Sequence, residues 1–275
     1  MFRRLILAAI LLTGFSAIAS AQTLDEVLDQ HFKAMGGLDK LRAVKSMKVT
    51  GKMVMGGAME APFTVYRARP NHQRVEFTFQ GMTGIQAFDG TKGQAWMVMP
   101  FMGKKDPEVM PAEESKMMSE EADFDGVLVD WKDKGHKVEY AGKEQVEGAD
   151  CYKLKVTLKS GEPRVIFLDS ESGLEVKREG KRTIRGTEME FESISGDYKE
   201  FDGLVYATVV AQGAKGSPAE QHQKMVMEKF EMNAAVPDSL FAVPKNAVVA
   251  KAPEAAKTAE APKAADKTEK KAEKK

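Results

Sequence analysis

The sequence holds one cysteine, Cys151, in 275 residues. A lone thiol cannot close an internal disulfide or supply a Cys-based zinc site. Histidines are scarce too, and His31, His72, His136 and His222 are scattered along the chain. There is no HExxH, GxSxG, GxxxxGK[ST] or GxGxxG. The helical metal pair, the nucleophile elbow and the phosphate-cradling loop are therefore missing, along with the chemistry each supports. Neither sign of charge is in excess, with 41 basic and 41 acidic side chains. The longest uncharged apolar run, Leu5 to Ile18, is shorter than the ~20 residues a membrane helix needs.

That short run has another reading. Arg3 and Arg4 precede it and Ala19-Ser20-Ala21 follows it. A basic n-region, an apolar h-region and a small-x-small site predict a secretory signal over residues 1–21, cleaved after Ala21. No Cys stands at the cleavage site, so no lipid anchor is expected there. The protein is expected in the periplasm. The opposite end, residues 251–275, carries eight Lys against five acids and no Leu, Ile, Val or aromatic residue. It lacks the means to bury a core and reads as a disordered, solvated tail. Between them, residues 22–250 form one expected domain. Its 31 basic and 36 acidic side chains lack the basic excess expected of a nucleic-acid binder.

Thr23 and Glu26 have capping-box spacing, and Leu24, Val27, Leu28, His31, Phe32 and Met35 repeat at helical intervals up to Gly36-Gly37. Residues 38–44 add a short second turn. From Ser46 the period is two: Met47, Val49, Met53 and Met55 on one face, then Val75, Phe77 and Phe79, then Tyr152, Leu154, Val156 and Leu158. Turn signals such as Gly56-Gly57, Asp89-Gly90, Ser172-Gly173 and Asp202-Gly203 separate about eleven strands between residues 46 and 233. The segments 107–121 and 123–132 interrupt this series and predict two helices. The expected fold is mainly β, of the α+β kind. It is a single strongly curved antiparallel sheet, a half-open barrel, covered on its concave face by the first helix and an inserted helical lid.

Several turn-and-anchor motifs follow one another in order. They are Phe88-Asp89-Gly90 with Trp96 and Pro100, residues 142–148 (GKEQVEG), residues 168–174 (LDSESGL) and residues 237–244 (PDSLFAVP). Together with the export signal and the helix ending Ala34-Met35-Gly36-Gly37, this series resembles the LolA-like periplasmic lipoprotein carriers of the outer-membrane lipoprotein-sorting type. LolB-, LppX- and RseB-like proteins share that superfold. The resemblance spans about residues 22–245. It implies a non-enzymatic protein whose apolar cavity holds lipid or lipoprotein acyl chains for transport or sorting toward the outer membrane. The alternative is an RseB-like envelope sensor that reads lipidated ligands through a partner. An inner- or outer-membrane protein would then be a further partner. No cofactor, metal or nucleic acid is implied.

The expected cavity side chains are Met53, Met55, Phe63, Val65, Phe77, Phe79, Met97 and Met99 on the strands, with Met117, Met118, Phe124 and Trp131 on the lid. Arg67 shares the register of Phe63 and Val65. The 17 methionines leave three readings open: gap-filling core residues, a pliable acyl cavity, or thioether ligands for Cu(I). His31 reads as a helix boundary or core residue, and the other three His as strand-edge surface residues. Cys151 opens an alternating strand as a small half-buried residue, with a dimeric disulfide as the alternative.

Overall fold

The computed structural model describes residues 22–55, 59–184 and 187–249. The signal at 1–21, the tail at 251–275 and the Gly56-Gly57 turn lie outside the described residues. Three helices and fourteen strands follow in chain order. Helices α1 (Leu24–Ala34) and α2 (Leu38–Ala43) open the chain. Strands β1 (Ser46–Met55), β2 (Met59–Ala68), β3 (His72–Phe79), β4 (Met82–Asp89), β5 (Gln94–Met99) and β6 (Lys104–Val109) make a first meander. Helix α3 (Ala112–Glu121) leads to β7 (Lys137–Val146), β8 (Ala149–Thr157), β9 (Pro163–Asp169), β10 (Glu175–Ile184), β11 (Thr187–Phe201), β12 (Leu204–Ala214) and β13 (Gln223–Met232). The short β14 (Val248–Val249) pairs parallel with β6.

All strands belong to one sheet, in the order β14-β6-β5-β4-β3-β2-β1-β13-β12-β11-β10-β9-β8-β7. Every ladder but β14–β6 is antiparallel. Among the described residues no ladder joins the two ends, so the barrel is open. The sheet is nonetheless strongly curled. Met118 of α3 is buried with Phe88 and Ala95 of β4 and β5, while Glu120 of α3 meets Arg164 of β9 at 3.2 Å. In a flat sheet β5 and β9 would stand about 43 Å apart, at ~4.8 Å per strand. A ten-residue helix spans only about 15 Å. The two flanks must therefore curve toward each other, with α3 across the mouth.

Local chemistry explains where the helices lie. The Thr23–Glu26 capping box is formed, with the Thr23 N–H donating to Glu26 Oε2 at 2.8 Å. Gly36 holds φ at +102°, and a Cβ there would strike the Gly203 carbonyl. Only glycine allows both the chain reversal and this approach to β12. The Leu168–Leu174 turn docks α1 from the other side: Gln30 Nε2 donates to the Ser170 carbonyl at 3.0 Å and His31 Nδ1 to the Gly173 carbonyl at 2.8 Å. Val27, Leu28 and Phe32 then bury against Leu154, Val156, Ile166 and Leu168.

Three expectations need correction. The sheet has fourteen strands, not eleven. The helix expected from Pro107 begins only at Ala112, because residues 104–109 pair with β5 as β6. Residues 123–132 form turns rather than a helix. Gly126 (φ +80°) and Asp130 (φ +51°) break any helical run. Ion pairs pin the segment in its irregular path, from Lys134 to Asp123 at 2.7 Å, from Arg69 to Asp125 at 2.6 Å, and between Arg42 and Asp130.

Candidate functional site

The concave face encloses a cavity of about 430 Å³. Its floor comes from Met47 and Val49 of β1, Phe63 and Val65 of β2, Ala207 and Val210 of β12, and Met225, Met227 and Phe230 of β13. Alternation along β1 and β2 sends every second side chain inward, and on β13 the register shift opposite Thr50 and Gly51 lets Met227 and Phe230 share the lining. The cover comes from Phe32 and Met35 of α1 and from residues 124–129.

Of the twelve expected cavity residues, the structure brings Phe63, Val65 and Phe124 together on this lining. Met53 is buried on β1, opposite Met225, and Met55 is half-buried two residues further along. Phe77 and Phe79 pack around the Phe101 ring at 5.5 and 6.0 Å. Met97 and Met118 fill a separate cluster beneath α3 with Phe88 and Met110, and Met99 is buried on β5. Met117 lies beside the Arg182 guanidinium, 3.8 Å from Nη1. Trp131 packs against the α1 core.

The largest group of unforeseen lining residues comes from β10 to β13. Met225 and Met227 are an i, i+2 pair and so had a legible signal. Arg178 had none, since it sits in the charged run 177–182 (KREGKR) that reads as a wet strand.

The polar groups of the lining come from α1, β2, the cover and β10 to β12. Arg67 donates from Nη2 to the carbonyls of Asp123 at 2.6 Å and Glu121 at 3.3 Å. Its Nε finds no partner. Burial pushes the Arg67 guanidinium below its usual range, against the opposing pull of the Asp123 carboxylate. Two residues on, Arg69 holds Asp125 through both nitrogens at 2.7 and 2.6 Å and stacks 4.7 Å from the Phe124 ring. Arg67 on β2 and Arg69 just beyond its end thus latch the covering loop to the sheet. On the β10 wall, Arg178 pairs with Glu175 at 2.8 Å, and that carboxylate raises the guanidinium. The Tyr198 hydroxyl donates to the Glu175 carbonyl at 2.6 Å. Burial pushes the Tyr206 phenol up to about 12, although the Arg67 charge opposes it.

His31 lies at the edge of the cavity, facing Glu175 and Arg178. Desolvation lowers its pKa, and its Gly173 bond and the Glu175 charge only partly oppose this. The native state therefore favours neutral imidazole. As pH falls through 6.5 the unfolded chain takes up a proton first, so stability falls toward the native pKa. His31→Asn keeps an N–H for Gly173 and cannot titrate. The urea midpoint of H31N should vary less between pH 7 and 5 than that of the parent; equal slopes would refute the assignment.

The remaining singled-out residues are structural. His72 and His222 are buried rather than at the surface. The His72 ring stacks 4.8 Å from Phe241 and accepts the Gly90 N–H at 3.0 Å, which is why a strand-start histidine can be interior. Cys151 is fully buried, and burial pushes its thiol pKa up. The folded chain therefore presents no thiol for a dimeric disulfide. Among the described residues no three His, Cys, Asp or Glu side chains gather as a metal site.

The fold has counterparts among solved structures. A LolA superfamily protein from Nitrosomonas europaea superposes with a TM-score of 0.53 at 12% identity, covering 81% of this chain and 98% of that one. The fold is LolA-like. A DUF1329 family protein from Desulfovibrio piger matches equally widely, with a TM-score of 0.54 at 12% identity over 81% and 98% of the two chains. A domain assigned as an outer membrane lipoprotein-sorting protein from Vibrio parahaemolyticus gives 0.50 at 12% identity, over 78% and 94%. No protein-family model and no curated protein matches the sequence. The LolA-like likeness is thus one of fold at low sequence identity.

Proposed function

We propose that the chain is a non-enzymatic periplasmic carrier that holds acyl chains of lipid or lipoprotein in the LolA-like cavity. It would consist of one half-barrel domain, residues 22–250, between the export signal and the tail. The observation that carries this reading is the 430 Å³ space walled by Phe, Val, Leu and Met between the sheet and its cover. Burial is the whole mechanism: sixteen methylene-sized units at ~0.8 kcal/mol each give a gross gain of about 13 kcal/mol, before ordering and association costs. Methionines from β1 and β13 let the wall adapt to a flexible chain. No group around the cavity is arranged as an acid–base pair. The Tyr198 and Tyr206 phenols are raised, and the His31 Nδ1 proton is committed to Gly173.

The test is native mass spectrometry, with lipid extraction, of the mature protein from its own periplasm. A stoichiometric adduct that resolves into acylated species supports the carrier. A clean apo mass that takes up no added phospholipid or lipopeptide refutes it.

A further inference from the structure

A second cavity, about 510 Å³, opens between α3, residues 123–136 and the β8–β9 turn. Its chemistry is the reverse of the first. Lys116, Lys134, Lys159, His136, Ser119 and Glu120 line it.

Donors and acceptors there are unequally spent. Both Asp123 oxygens take Lys134 Nζ, at 2.7 and 2.8 Å, and Lys134 gives its third bond to the Gly126 carbonyl. Glu120 Oε2 takes Arg164 at 3.2 Å. Those charges cancel in pairs. Lys116 and Lys159 have no carboxylate partner among the described residues. His136 Nδ1 accepts the Lys159 backbone N–H at 3.0 Å, so in the neutral ring the proton is on Nε2 and remains to be given. Desolvation lowers the His136 pKa, which favours that neutral ring. Two ammonium groups, an imidazole N–H and the Ser119 hydroxyl are therefore unspent. The unspent carboxylate oxygen of the lining is Glu120 Oε1, which is buried without a partner. The complement is an oxyanion that also carries a hydroxyl or ammonium donor.

The position of the cavity says what bears that oxyanion. Val127 lines both this cavity and the apolar one. A space suited to an acyl chain and a space suited to a phosphate thus share a wall residue. We infer that the second cavity is the phosphate head-group site for the lipid whose chain occupies the first, so the cargo is a glycerophospholipid with an amino- or hydroxyl-bearing head. This rests on the carrier reading and narrows it.

The experiment compares the mature chain and a K116Q/K159Q double variant, both lysines being exposed, with folding checked by thermal melting. The probes are phosphatidylethanolamine, diacylglycerol of the same chains, and glycerophosphate. We expect phosphatidylethanolamine to bind the parent more tightly than diacylglycerol. The double variant should lose at least about tenfold in phosphatidylethanolamine affinity, from two charge-assisted hydrogen bonds, and none for diacylglycerol. Added salt should weaken the phospholipid alone. If both lipids bind alike and the variant changes neither, the head-group site is refuted while the carrier stands. If neither lipid binds, the carrier reading falls and takes this inference with it. Glycerophosphate binding as tightly as the phospholipid would refute the lipid source and indicate a soluble phosphate ester.

Discussion

Enlarging Ala207 to Trp should cut acyl-chain uptake by about two orders of magnitude and leave the fold intact. Ala207 lies on β12 opposite Tyr198, half-buried, among the residues that line the cavity. An indole there would take the place of roughly four methylenes of cargo. At ~0.8 kcal/mol each this is about 3 kcal/mol, close to a hundredfold in affinity. Displacement of a fluorescent fatty acid measures it. Met102→Trp, at a residue 69% exposed and away from the cavity, is the control and should bind as the parent does. Unchanged uptake by folded A207W would mean that the chain lies elsewhere.

Phe241→Ala should destabilise the protein by about 3–5 kcal/mol, the range for truncating a buried aromatic. Phe241 follows the last long strand, yet it is fully buried. Its ring stacks on His72, and its carbonyl accepts the Trp96 indole N–H at 2.8 Å. The Leu240 carbonyl accepts from Arg74 Nη1 at 2.9 Å. One short segment thereby ties β3 to β5 from outside the ladder. Urea unfolding of F241A and of F241L would separate volume from contact. The Leu variant should recover much of the loss, and a midpoint unchanged in F241A would refute the anchoring role.

The sequence was most legible where local chemistry decides structure. Thr23 and Glu26 announce α1, and Gly36 ends it, because capping and positive φ depend on a few neighbours. The alternation from Tyr152 to Val156 survives as β8 because its dry face meets α1. Phe124, Val127, Leu128 and Trp131 turn inward as their spacing implies, but on an irregular backbone. Apolar spacing reports the buried side, and Gly126 and Asp130 decide the path. β6, with the sequence KKDPEV, has no apolar alternation and owes its form to pairing with β5 and β14. The site was less legible than the fold. Arg178 lies in a charged run whose inward face is set by curvature, and curvature is set by α3 bridging distant strands. Met97 and Met118, equally apolar, fall under that helix instead of in the cavity.

The strand order also has a consequence for how the molecule assembles. Within β1–β6 and within β7–β13 each strand pairs with its neighbour in sequence; beside the two-residue β14–β6 ladder, the one ladder between strands distant in sequence is where β1 meets β13 and Met47 lies opposite Met232. Two local meanders, β1–β6 and β7–β13, can form from nearby residues at small loop-closure cost. The ladder between them joins the two ends of the domain and must wait until nearly all of the chain has been synthesised. It is therefore the last zip to close and the first line along which a pulled or truncated molecule should part.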